Sequence, residues 1–442
     1  MVRIKNFFVR FLLRRMVKLV VSASDRNIIR ALKIFDKFML TPLGHEYVRS
    51  VINLFEKKAP PLQLARRLIT QTAPSCRNAL INNFFINAII LGARQRKRYE
   101  KEEGFRPPFF MVMSPTMRCN LHCYGCYAGE YKKEGELSFE LIDRVIKEGK
   151  EMGIYFYTIS GGEPFIRKDL LDLFEKHHDC AFQVYTNGIL IDHTLAESLV
   201  QLGNVAPAIS VEGFQEQTDE RRGHGMYQRI MEVMDTLREA GAIFGFSATA
   251  TRYNIELISS EEFIGHFISK GCSLGWYFIY IPIGRSPNLD LMPSPEQRKK
   301  MRESLSAIKL KKPIFIGDFW NDGELVKGCI SGGRRYFHIN SKGDVEPCVF
   351  VHFAVDNINN KSLKEVLTSQ FFTEIKKRQP FNKNHLMPCM IIDNPQILRE
   401  VVKVSGAYPT HKGAESILEE LAPYLDAYAK RMEEVVPSSK SR

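Results

Sequence analysis

From residue 109 onward one pattern repeats, and it restricts the fold more than any other feature. A short apolar run is followed by a polar turn and then by an amphipathic helical stretch. The strand-like runs are "FFMVMSPT" (109–116), "IYFYTIS" (154–160), "AFQVYTN" (181–187), "VAPAISV" (205–211), "IFGFSATAT" (243–251) and "GWYFIYIPI" (275–283). Between them lie helical periods such as "SFELIDRVIKEGKEM", "YQRIMEVMDTLREAG" and "SEEFIGHFISKG". Strands separated by helices cannot pair as tight hairpins. Each helix must carry the chain back across a sheet face, which makes the strands parallel. Six such units predict an α/β fold, a partial (β/α)6 TIM-type barrel over residues 108–310. In such barrels the chemistry sits on the loops after the strand C-termini.

Those loops carry the unusual residues. "MRCNLHCYGCYAGEY" (117–131) follows the first run and sets Cys119, Cys123 and Cys126 in a Cys-x-x-x-Cys-x-x-Cys spacing with no fourth cysteine nearby. "SGGEP" (160–164) follows the second run, "TNG" the third, and "SVEG" (210–213) ends the fourth. Three thiolates can hold three corners of a cubane 4Fe–4S cluster and leave the fourth iron open. An open position is what separates a catalytic metal centre from a closed structural one. The alternative is a zinc site, which would need a fourth ligand; His122 is the only close candidate. Gly161 and Gly162, lacking Cβ atoms, let the backbone approach a ligand closely.

With these motifs the sequence resembles the radical S-adenosylmethionine (SAM) enzymes. Their signature is this cysteine spacing after the first strand of a partial barrel, with a Gly-Gly-Glu-Pro element on the next. The resemblance implies that the open iron is chelated by the methionine end of SAM. One electron from the cluster then cleaves the sulfonium to a 5′-deoxyadenosyl radical that abstracts hydrogen from the substrate. It implies that Gly161, Gly162 and Glu163 seat the methionine end, and that Ser210 and Glu212 take the ribose hydroxyls. Relatives often carry Asp where this chain has Glu212. Arg222 matches a family Arg-Gly step but reads as a solvated arginine. The family's usual aromatic before the third cysteine is replaced by Gly125, and the aromatics Tyr124 and Tyr127 are expected to pack against adenine instead.

Beyond residue 311 the alternation stops. "GCISGGRRYFHINSKGDVEPC" (328–348) reads as a β-hairpin flanked by Cys329 and Cys348, with Cys389 further on in "LMPCMIIDNP". These cysteines resemble the opening of the SPASM and shorter twitch auxiliary-cluster extensions, without the dense later cysteine array. The resemblance implies a second 4Fe–4S cluster on Cys329, Cys348 and Cys389. Its fourth ligand would be Cys272, His352, Asp393, water or substrate. Cys76, Cys180 and Cys272 read as small core residues. Nine cysteines without a disulfide framework suit a reducing cytoplasm. The expected organisation is a basic helical region (1–107), the barrel (108–310), a SPASM/twitch-like extension (311–395), and C-terminal helices with a polar tail (396–442).

Charge is uneven. Residues 1–107 carry 22 Lys and Arg against 7 Asp and Glu, so the chain's net +12 resides there. The opening "MVRIKNFFVRFLLRRMVKLV" interleaves six cations with long apolar side chains, and the cations interrupt any signal-peptide core. A helix of this kind suits either an anionic membrane surface, through residues 1–25, or docking on the protein's own body. Phosphate tracking along nucleic acid fits it less well. The apolar stretch "ALINNFFINAIILGA" (79–93) is too short and too rich in Asn to span a bilayer. "RQRKRYEKEEGFRPP" (94–108) reads as a charged linker.

The sequence therefore predicts a cytoplasmic radical SAM enzyme, with peripheral attachment to the inner membrane face as an option. It would be served by an electron donor such as flavodoxin or ferredoxin. A lipid or membrane-associated substrate is the first expectation, peptide or protein maturation the alternative, and a non-catalytic iron–sulfur protein the minor one. No substrate acid or base stands out, since Tyr277, Arg285 and His338 have no partner legible in the sequence.

Overall fold

The computed structural model of the chain describes residues 25–36, 49, 52, 53, 56, 57 and 59–436. The basic stretch of residues 1–24 lies outside them. Among the described residues no helix is long and apolar enough to cross a membrane.

The six expected strands form as β1 (Phe110–Met113), β2 (Phe156–Ile159), β3 (Ala181–Thr186), β4 (Val205–Val211), β5 (Gly245–Ala250) and β6 (Leu274–Ile279). They lie side by side in chain order, all parallel. The fold is the expected partial barrel. Ser138, Asp192 and Ser260 accept hydrogen bonds from backbone N–H groups in the first turns of the helices that follow β1, β3 and β5, which stops fraying where each helix leaves its loop. Apolar side chains from helices and strands merge into one core that includes Val145, Ile146, Phe174, Phe182, Phe246 and Phe267.

Two features extend the wall beyond six strands. The alternation does not stop at residue 311: helix Pro295–Lys309 leads into β7 (Phe315–Asp318), parallel to β6. Four residues containing a glycine leave too little periodicity for that strand to be recognised. At the other edge the hairpin β8 (His338–Ile339) and β9 (Val345–Glu346) forms as expected, but β8 also pairs in parallel with β1. The auxiliary segment thus continues the barrel sheet. A small pair, β10 (Phe353–Ala354) and β11 (Tyr408–Pro409), ties it to the C-terminal helices.

The N-terminal helices Pro60–Gln71, Pro74–Ala79, Leu80–Leu91 and Gly92–Glu103 lie against the barrel at the end opposite the motif loops. The asparagines that interrupt the apolar stretch now have a reason. Asn83 donates to the carbonyls of His178 and Cys180, and Asn87 to that of Asp179, all just before β3. The charged segment expected to be a linker is mostly helix, ended by Gly104 in a left-handed conformation. It is pinned by Arg96, which is buried, donates to the carbonyls of Gly153 and Ala88, and lies over the Phe109 ring.

Candidate functional site

The loop after β1 is clamped from three sides. Its base is joined to the "SGGEP" loop by backbone bonds: Gly162 N–H to the Thr116 carbonyl at 2.9 Å, and Glu163 N–H to that of Arg118 at 2.8 Å. A Cβ on Gly162 would fall onto the Arg118 carbonyl, and one on Gly161, at φ +115°, onto that of Thr116. These glycines therefore permit contact between the two motif loops, beyond the ligand approach read from the sequence. From the β4 side, Arg221 donates to the Tyr124 carbonyl at 3.1 Å. From the β6 side, the Arg285 backbone N–H donates to the Cys126 carbonyl at 3.0 Å and its guanidinium to that of Cys123 at 3.2 Å.

Glu163 is fully buried. Its carboxylate accepts from Thr186 Oγ1 (2.8 Å) and from the backbone N–H groups of Phe165 and Asn187 (3.0 and 2.8 Å). Burial nevertheless pushes the carboxyl pKa up. The side chain thus locks the β2 and β3 exits together.

The Glu212 side chain is committed to protein partners. Its buried carboxylate pairs with Arg221 at 2.5 Å and with Arg222 Nε at 3.0 Å, so it holds both arginines against the cysteine loop. Arg222 is not solvated. Burial works against its charge, but Glu212 and the neighbouring Cys123 and Cys126 outweigh that and raise its pKa. Ser210 is only partly buried and lies 3.4 Å from Ser247 on the adjacent strand. Tyr127 turns inward, its hydroxyl 2.8 Å from Ser160 and its ring against Phe350, while Tyr124 stays exposed. Of the two aromatics expected near adenine, only Tyr124 is on the open side.

The three loop cysteines are free thiols within electrostatic reach of one another, and burial raises the pKa of Cys119 and Cys126. Among the described residues no three His, Cys, Asp or Glu side chains are gathered tightly enough to hold a single metal ion. A cubane instead asks its thiolates to surround a body several atoms across, which suits a ligand set spread along a loop.

The C-terminal cysteines also come together. Cys329, Cys348 and Cys389 are all within electrostatic reach of the buried Tyr336 hydroxyl, and burial pushes the Cys348 thiol up to about 12. The donor set fits an iron–sulfur cluster. The protein side chains considered as a fourth ligand do not. Cys272 lies before β6, at the far end of the barrel, against Met234. His352 commits one ring nitrogen to His411 (2.6 Å) and the other to the Val349 carbonyl (2.8 Å). Asp393 pairs with the fully buried Arg298 at 2.6 Å and accepts the Cys389 N–H.

Three residues without legible partners acquire them in the fold. Tyr277 donates to the Ile258 carbonyl in the core. Arg285 clamps the cysteine loop as described. His338 bridges Ser114 (2.7 Å) and Glu346 (2.6 Å). Glu346 accepts from Tyr131, Thr410 and Asn340, joining the cysteine loop, β1 and the auxiliary hairpin in one buried network. Burial would raise the Glu346 carboxyl, but His338 holds it below the usual range. No local motif announces these contacts.

The inner face of the barrel is not fully covered along β6. Along β6, Trp276 and Phe278 keep partial exposure, while Tyr277 and Ile279, alternating with them, are buried. Phe278 stacks on Phe319 (4.9 Å between ring centres), and Phe350, two residues after Cys348, packs against Trp320 and Tyr127. Among the described residues Trp320 Nε1 is buried without a hydrogen-bond partner. Uncharged aromatic rings thus lie beside both cysteine groups, Tyr127 next to Cys126 and Phe350 near Cys348.

Known proteins agree with this architecture. The model of the radical SAM superfamily matches residues 113–253, and that of the SPASM iron–sulfur cluster-binding domain matches residues 329–390. The mycofactocin maturase MftC of Mycolicibacterium smegmatis is 28% identical over 298 residues, 63% of this chain and 75% of the maturase. An AdoMet-dependent heme synthase of Methanosarcina barkeri is 25% identical, covering 59% of this chain and 82% of the synthase. Among solved structures, Streptococcus suis SuiB bound to S-adenosylmethionine superposes with a TM-score of 0.57 at 18% identity, over 81% of this chain and 87% of SuiB, a likeness of fold. The family carries a SAM-binding 4Fe–4S cluster together with auxiliary iron–sulfur in the SPASM region. Motif loops, paired cysteine groups and matched regions lead to one assignment: the chain is a radical SAM enzyme with a C-terminal SPASM domain.

Proposed function

We propose that this enzyme matures a peptide, modifying a residue presented to the aromatic inner face of the barrel. The observation that carries the reading is the similarity to mycofactocin maturases, which spans 63% of the chain and 75% of the maturase. The PqqA peptide cyclase of Granulibacter bethesdensis, 26% identical over 55% of this chain and 68% of the cyclase, supports it further. The lipid reading rested on residues 1–25, nearly all of which lie outside the described residues. The heme synthases favour a second reading, a tetrapyrrole substrate, for which the same flat aromatic rings are suited.

In this reading Cys119, Cys123 and Cys126 hold the SAM-binding cluster, and Cys329, Cys348 and Cys389 the auxiliary one. When bound, the first cluster supplies the electron for cleavage of SAM and so the radical that takes a substrate hydrogen. The chain's own part is positioning. The paired backbones of residues 116–118 and 161–163 shape the seat for the methionine end. Glu212 acts through Arg221 and Arg222 to hold the cysteine loop, and Ser210 is left as the ribose candidate. The aromatic rings offer a bound substrate apolar contacts that carry no acidic or basic group to compete for a radical.

The test is anaerobic turnover with SAM and dithionite. One arm uses synthetic peptides encoded by short reading frames beside the gene; the other uses iron-coproporphyrin. Mass spectrometry showing a hydrogen-loss or decarboxylation product only with a peptide supports maturation. Conversion of the porphyrin alone overturns it.

A further inference from the structure

We propose that Ser331 and Tyr336 raise the reduction potential of the auxiliary cluster by donating hydrogen bonds to its coordinating sulfurs. The inference rests on the assignment of Cys329, Cys348 and Cys389 as ligands, and not on which substrate the enzyme takes.

The geometry is specific. Ser331 Oγ lies 3.0 Å from Cys329 Sγ, and Tyr336 Oη lies 3.0 Å from Cys348 Sγ. Cys389 Sγ receives the Ile391 backbone N–H at 3.3 Å. In the thiol form either partner of each hydroxyl–sulfur pair could donate. A sulfur bound to iron has lost its proton, so only the hydroxyl can donate, and both bonds then point toward the sulfur. Neither hydroxyl has water as an alternative. Ser331 is 2% exposed and Tyr336 8%, and the Tyr336 ring is fixed by stacking on Phe110 of β1, 5.0 Å between ring centres and 12° from parallel. The Ser331 backbone is held by Gln379, which donates to its carbonyl at 2.9 Å.

The two cysteine groups differ in this respect. Around Cys119, Cys123 and Cys126, the described hydrogen bonds to sulfur come from amide nitrogens, Leu121 N at 3.5 Å and Asn187 Nδ2 at 3.9 Å, and none from a hydroxyl. Hydrogen bonds to cluster sulfurs withdraw charge and favour the reduced state, which carries one more electron. Reduction adds that electron without breaking a bond or moving a proton; the hydroxyls keep their hydrogens. The consequence is a cluster suited to receive an electron during turnover.

The test uses the full chain with Cys119, Cys123 and Cys126 all changed to Ala, so that only the auxiliary site can load. Anaerobic iron counting in this background first checks the ligand set: four irons that disappear on adding Cys348→Ala support it, and no iron overturns the proposal at its root. Midpoint potentials then come from redox titration followed by electron paramagnetic resonance. Tyr336→Phe and Ser331→Ala should each move the midpoint to more negative values, the pair together further, with Ser331→Thr close to the parent. An unchanged or more positive midpoint with full iron overturns the proposal. Should either variant load poorly, resonance Raman of the unsubstituted auxiliary site in H2O and D2O decides. Fe–S(Cys) stretches that shift within minutes of transfer to D2O, before hydrogen-bonded backbone amides exchange, support the hydroxyl bonds, and stretches that do not shift in that time refute them.

Discussion

Replacing Gly162 by Ala tests the joint between the two motif loops directly. The added Cβ would lie on the Arg118 carbonyl, 2.6 Å from its carbon and 2.7 Å from that of Met117. Both obstacles are backbone, so no side chain can swing away. The segments must part by about 1 Å before these contacts relax, and bonds now at 2.9 and 2.8 Å then pass beyond hydrogen-bonding distance. Losing two bonds at about 1 kcal/mol each gives a local cost of about 2 kcal/mol, or ~30-fold in the opening equilibrium. Hydrogen–deuterium exchange read by mass spectrometry should show residues 114–126 and 160–166 exchanging faster by that order, with the peptides of β5 and β6 unchanged. The variant should also bind SAM more weakly after reconstitution. Exchange within threefold of the parent in both loops, with SAM affinity intact, would refute the claim that these backbones depend on each other.

Other expectations follow from the same contacts. Reconstituted protein should hold about eight irons, falling to about four in Cys389→Ala, and Cys126→Ala should abolish 5′-deoxyadenosine formation whereas Cys389→Ala should spare or slow it. Glu212→Gln should lower thermal stability even without SAM, by roughly 2–4 kcal/mol, because two arginines lose a buried counter-charge; unchanged stability with weakened SAM binding would instead make Glu212 a ribose ligand. Lys376 is desolvated over the Phe105 ring, and its pKa is lowered to about 8. The unfolded chain therefore holds more protons between pH 8 and about 10, and stability should rise across that window. In Lys376→Met that part of the slope should vanish in urea titrations, and a slope identical to the parent's would show that the ammonium is not desolvated.

The strand–helix alternation and the cysteine spacing were legible because each is local. A parallel strand and a crossover helix impose their periods on adjacent residues, and Cys119, Cys123 and Cys126 fall within one loop. Hence β1 to β6, the motif loops at one rim and the first cysteine group could be read from residues alone, whereas Cys329, Cys348 and Cys389, far apart in sequence, were grouped through the family resemblance. β7 escaped because four residues hold too little pattern, and the helix Gly92–Glu103 was taken for a linker because its docking depends on one buried arginine. What Glu212, Arg222 and His338 do was decided only in three dimensions. A charged side chain has the same local signature whether water or a distant partner satisfies it, and the partners here are joined by packing rather than by sequence distance. Residue type thus determined which chemistry the chain can hold. Burial and long-range pairing determined which of its polar groups remain free to take part.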